Sequence, residues 1–198
     1  MLFLFLFVSF LQFHSSIHSY YSRKTQDYYY AGYTLFCAEV ASTTNEALLI
    51  HHLINKEEDK NKKLYLINQE LEQIRTTVFR QLMFAEFELY THESLEKGTP
   101  LTAEDYNKAW HDLNVKYFGP DMIVDNDIDI EWARIPHFYS DFYVYQYATG
   151  YAAASAFAKS ILEGKEDAVP KYIDFLKSGG SDYPIEILKK AGVDMTTS

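Results

Sequence analysis

The chain has 198 residues, 47% hydrophobic and 23% charged, which is the balance of a folded domain and excludes a disordered one. Eighteen Lys and Arg against 28 Asp and Glu leave a net charge of −10, which argues against nucleic-acid phosphates or an anionic membrane as the main partner. The single cysteine, Cys37, excludes a disulfide framework and any multi-thiolate metal site within one chain.

Residues 1–11 read MLFLFLFVSFL, apolar but for Ser9 and too short for a membrane span of ~20 residues. No basic residue precedes the run and no small-residue cleavage site follows it, as a signal peptide would require. The run is therefore expected to bury itself against a surface outside this chain, a route to association. A cytoplasmic location is the main expectation, and export through a non-standard signal sequence the lesser one. Beyond it the pattern is helix after helix, predicting an all-α fold. Residues 28–36 alone leave room for a short strand pair, since tyrosine-rich runs flank Ala31-Gly32 there. A helix is predicted over 39–54, then a long one over 57–97. On the long one Leu64, Ile67, Leu71, Ile74, Val78, Leu82 and Leu89 form an amphipathic stripe. Lys97-Gly98 closes it and Pro100 prevents continuation. Thr102, with Asp105 three residues on, reads as a capping box opening a helix to Phe118, which Gly119-Pro120 ends. An acidic loop over 121–131 follows, then a long helix over 135–163 and shorter ones near 166–177 and 184–190, the last two separated by Gly179-Gly180-Ser181.

Several residues carry possible chemistry. His14 and His18 stand at i,i+4, a spacing that puts two imidazoles on one helix face, although a metal would need further ligands. The acidic run at 125–129 begins like a calcium loop, but Ile130 and Pro136 occupy the positions that need Gly and Glu, so it reads as a solvated loop. Glu39 lies in the apolar stretch FCAEVASTTNE, where a carboxylate needs a cation, a metal or hydrogen bonds. By itself it reads equally as a first-turn carboxylate favoured by the helix dipole. In RIPHFYSDFYVYQYATG, Tyr139, Tyr143 and Tyr147 repeat at i,i+4, as do His137 and Asp141. Such a tyrosine stripe is commonly core or interface. A histidine among phenols can also donate hydrogen bonds to a developing oxyanion.

Taken together, HSYYSRKTQ, FCAEVASTTNE, RIPHFY, YVYQYATG and SGGSDYPIEILKKAGVDM resemble the C-terminal part of the oligoendopeptidase F family, zinc metallopeptidases related to thimet oligopeptidase. The resemblance runs from about His18 to the end and sets residues 18–198 apart from an unmatched segment, 1–17. It implies an all-α catalytic domain, short peptides as substrates and zinc as cofactor. It also implies Glu39 as the downstream zinc ligand, with His137 and Tyr145 over the substrate and its tetrahedral oxyanion. Tyr139 joins these less directly, and Tyr143 and Tyr147 fall in the substrate-binding stretch. The family's H-E-x-x-H helix is where this chain departs. Leu11 and Ser15 stand at the two zinc-histidine positions and Gln12 at the general-base glutamate, while one inserted residue would make His14 the second ligand. Leu cannot bind zinc and a neutral amide cannot take a proton from water, so weak or absent zinc binding and an inactive isolated chain are expected. Two functions follow: part of a zinc oligopeptidase, truncated and inactive by itself, or a non-catalytic helical module that binds a partner.

Overall fold

A computed structural model of the chain describes residues 16–197. The apolar run at 1–11, together with Gln12, His14 and Ser15, lies outside the described residues. Among the described residues every regular element is helical, as the hydrophobic periodicity predicts. They are α1 (described over 16–25), α2 (Leu35–Lys56), α3 (Lys60–Ile74), a π-helical turn (Arg75–Phe79), α4 (Arg80–Glu96) and α5 (Ala103–Phe118). Two 3-10 segments, Asn126–Arg134 and Pro136–Tyr139, lead to α6 (Tyr145–Leu162), α7 (Ala168–Lys177) and α8 (Pro184–Lys190).

The strand pair for which 28–36 leaves room is not formed. Tyr30 N–H donates to Asp27 O at 2.9 Å to close a turn, and Thr34 caps α2 by accepting from Cys37 N–H. Tyr28 and Tyr29 point into solvent there, with no second strand to pair them.

The described residues form two compact units, one up to Glu70 and from Thr149 onward, the other Leu71–Ala148. In the first, α2, α6, α7 and α8 enclose Val40, Ala41, Ala153, Ala154, Phe157, Phe175 and Leu188. Ala153 and Ala154 are fully buried, so the small-residue run does allow the close packing it suggests. Tyr172 ties α7 to α2 by donating its buried hydroxyl to Ala41 O at 3.1 Å. The end of α7 docks on the segment after α1: Thr25 Oγ1 and Gln26 Nε2 both donate to Lys177 O, and Gly180 N–H donates to Tyr30 O at 2.8 Å. Gly179 has φ +54°, and a Cβ on it would stand 2.2 Å from Tyr30 O, so only glycine fits.

The second unit is built on aromatics. Trp110 of α5 is fully buried and meets Phe87 of α4 edge-to-face, centroids 4.9 Å apart, with Phe84 and Phe138 around them. The capping box of α5 is formed as predicted, Thr102 accepting from Asp105 N–H and Asp105 Oδ2 from Thr102 N–H at 2.8 Å. The acidic loop departs from expectation. Asp125 accepts from Asp127 N–H and starts a nine-residue 3-10 segment, and Asp129 holds His111 at 2.7 Å.

Two long helices also differ from their predicted extents. The leucine stripe over 64–89 is largely solvent-facing, and α4 instead buries Met83, Phe84, Phe87 and Glu88. The π turn breaks the phase of the stripe: it adds a residue to the helical repeat and rotates everything after it by about 100°. Leu82 and Leu89 therefore do not continue the face of Leu64, Ile67 and Leu71, which are themselves exposed on α3 and at its end. The helix predicted from 135 starts only at Tyr145. Pro136 opens a single 3-10 turn, and Phe142 takes a left-handed φ of +50° before α6 begins.

Candidate functional site

Glu39 sits in the second turn of α2, because Thr34 caps the helix four residues earlier than the apolar pattern suggests. The first-turn dipole explanation therefore lapses; α2 has no acidic residue in its first turn. The carboxylate is half-buried beside α6, where a Cβ on Gly150 would lie 3.7 Å from Glu39 Cβ. Among the described residues no cation and no hydrogen-bond donor meets its side chain, and burial raises its pKa above the usual carboxylate value.

His18, on α1, is buried and stacked on Tyr33 with ring centroids 3.6 Å apart and planes 8° from parallel. Its Nδ1 has no hydrogen-bond partner among the described residues, and burial lowers its pKa to about 4. That is a neutral packing histidine, held by the aromatic on the next segment. His14, its possible metal-binding companion, lies outside the described residues.

In the second unit the structure brings His137, Tyr143 and Tyr147 together. The His137 and Tyr143 rings are near-parallel at 6.1 Å, Tyr147 stands edge-on to His137 at 6.1 Å, and Tyr143 and Tyr147 meet edge-to-face at 5.3 Å. Pro136, the turn at Ser140 and the start of α6 create this cluster, so it does not need the continuous helix of the sequence reading. Tyr139 is left outside it, 91% exposed on the 3-10 turn, and Tyr145 is half-exposed at the first position of α6. The helical pairing of His137 with Asp141 does not form; Asp141 approaches His92 instead, at 3.8 Å.

A further group escapes the sequence reading. Glu88 and His92 of α4 and Asp141 of the turn before α6 each offer a ligand atom, all within 4.8 Å of one another. Glu88 and His92 at i,i+4 in the apolar run MFAEFELYTH were a legible signal. Asp141 was not, because only the turn brings it there. Burial raises the Glu88 pKa, opposed by the hydrogen bond from Phe142 N–H.

Residues 7–198 match peptidase family M3. The chain belongs to that family. It is 57% identical to the oligopeptidase PepF of Bacillus subtilis over 186 residues, 94% of this chain and 28% of the relative. It is 45% identical to the plasmid-encoded oligoendopeptidase F of Lactococcus lactis subsp. cremoris, covering 92% of this chain and 30% of that protein. The crystal structure of oligoendopeptidase F from Enterococcus faecium superposes with a TM-score of 0.85 at 46% identity, over 97% of this chain and 34% of that one. The chain thus spans about three-tenths of the length of its curated relatives, and its helical fold superposes on about a third of the solved one.

An M3 peptidase implies a metal. Glu39 fits one ligand position, a half-buried carboxylate that lacks a positive partner among the described residues. It is the only one of the expected donors among them, and no described group of three donors includes it.

Proposed function

We propose that this chain carries part of the peptide-hydrolysing site of a zinc-dependent, oligoendopeptidase F-type enzyme acting on short peptides in the cytoplasm. The observation that supports this best is Glu39: a half-buried carboxylate beside α6 with no counter-charge among the described residues, inside the stretch that matches the family. Zinc, when bound, supplies Lewis acidity at the scissile carbonyl. Glu39 gives one carboxylate ligand. The His137 imidazole and the Tyr145 phenol serve as hydrogen-bond donors to the substrate and to the oxyanion that develops on it. Tyr143 and Tyr147 hold the His137 ring by aromatic contact and flank the peptide, and Tyr139 reaches the substrate from its exposed turn.

Hydrolysis also needs a base and a full ligand set. Gln12 supplies an amide where the family places its general base, and Leu11 supplies no donor at all. The chain by itself accordingly binds zinc weakly and turns over no peptide. The test restores Leu11→His, Gln12→Glu and Ser15→His together and measures zinc binding, then cleavage of a quenched fluorescent peptide with and without chelator. Tight zinc binding in the restored chain, lost on Glu39→Gln, is the expected result. Zinc binding indifferent to Glu39→Gln, or chelator-sensitive turnover by the unaltered chain, would overturn the reading.

A further inference from the structure

The Glu88, His92 and Asp141 group lies within the second unit and shares no residue with the proposed hydrolytic set. We propose that it is a separate binding site for a zinc-class divalent cation, one that clamps α4 to the turn preceding α6.

Three features carry this. Glu88 is only 2% exposed, and its two carboxylate oxygens have different fates. Oε1 accepts from Phe142 N–H at 2.9 Å, whereas Oε2 is buried with no hydrogen-bond partner among the described residues. A buried carboxylate oxygen without a donor is costly, and a cation is the partner that answers it. His92 follows one helical turn later on the same face of α4, and its Nε2 is 3.8 Å from Asp141 Oδ1. The three ligand atoms already lie within 4.8 Å of one another. Bonds of ~2.0–2.2 Å in a tetrahedral site put neighbouring ligand atoms roughly 3.3 Å apart. Closing that gap is a rotamer-scale movement, and the His92 and Asp141 side chains, 42% and 79% exposed, are free to make it.

The donor set selects the ion. Two carboxylates and a neutral imidazole carry a charge that a divalent cation balances. One nitrogen and two oxygens suit zinc rather than calcium or magnesium, which prefer oxygen throughout. The exposed side of His92 and Asp141 leaves the fourth position to water. Glu88 meanwhile holds the Phe142 backbone, at a φ of +50°, so the ion would fix the turn that delivers Tyr143 to His137.

The test uses the whole chain carrying Glu39→Gln, which removes the ligand of the proposed hydrolytic site and separates the two proposals. Zinc is titrated by calorimetry, and cobalt(II) is followed by its visible d–d absorption. One equivalent should bind, and His92→Ala or Asp141→Asn should each weaken it by at least ~tenfold. Both side chains are well exposed to solvent, 42% and 79%, so these variants fold where Glu88→Gln, which disturbs the Phe142 turn, need not. No binding up to roughly 0.1 mM zinc, or binding that neither substitution weakens, overturns the proposal.

Discussion

Replacing Gly179 by alanine tests how the end of α7 is held in the first unit. Two costs are readable from the structure. Gly179 has φ +54°, which costs an alanine about 1 kcal/mol. Its new Cβ would stand 2.2 Å from Tyr30 O and 2.7 Å from Ser22 Oγ, and the first is backbone that cannot rotate aside. Relieving that contact separates the two segments and gives up the 2.8 Å bond from Gly180 N–H to Tyr30 O, about 1 kcal/mol more, with further loss at Ser22 and Gln26. The sum is roughly 2–4 kcal/mol, and at about 2–4 °C per kcal/mol for a chain of this size the midpoint falls by roughly 4–16 °C. Gly164→Ala is the control, because Gly164 has φ +64° with nothing within 4 Å of a Cβ. It should show the backbone cost alone, about 1 kcal/mol. Thermal unfolding by far-UV circular dichroism compares the two. If both variants melt within about a degree of each other, the docking of α7 on the Tyr30 turn contributes nothing and the reasoning fails.

Thr102→Ala should cost about 1 kcal/mol in urea denaturation, since it removes the hydroxyl that accepts from Asp105 N–H and leaves only the backbone arm of the α5 capping box; an unchanged midpoint would mean the helix start is held by other contacts. Tyr172→Phe should cost about 1 kcal/mol by removing the buried hydroxyl that donates to Ala41 O, with no change in helix content. His18 should titrate near 4 in the folded chain by NMR, against its ordinary 6.5. Between those values the unfolded chain binds the extra proton, so stability is full above about 6.5 and declines as pH falls towards 4. The whole effect is about 3 kcal/mol, and it should vanish in His18→Gln; a pH slope unchanged in that variant would place its origin elsewhere.

Local chemistry was legible in the sequence wherever one short stretch contained its own partners. Thr102 and Asp105 cap α5 across three residues, and Gly119, with φ +81°, ends it, so both bounds follow from neighbours in the chain. The helical class was legible for the same reason: 3.6-residue periodicity is a local property. Phase across the π turn was not, because the extra residue at 75–79 leaves no compositional mark. The break before α6 was only half legible. Pro136 announces it, but the left-handed Phe142 is stabilised by Glu88, 54 residues upstream.

The candidate site divides along the same line. Glu39 could be singled out as an ionisable residue among apolar neighbours, yet the sequence alone left a helix dipole as an adequate reason for it. What removes that reason is the Thr34 cap, which moves the helix start back and leaves Glu39 in the second turn. What replaces it is packing. α6 presents Gly150 to α2 and fully buried Ala153 one turn on, small residues that let the two helices meet close to the Glu39 backbone. Burial there raises the carboxylate's pKa, and neither helix contributes a positive charge to offset it. Val40 is fully buried at the next position, so the α2 backbone is fixed there by apolar contacts. The Glu39 backbone is thus positioned by helix packing, and the ligand role proposed for this residue rests on apolar contacts that form without a metal.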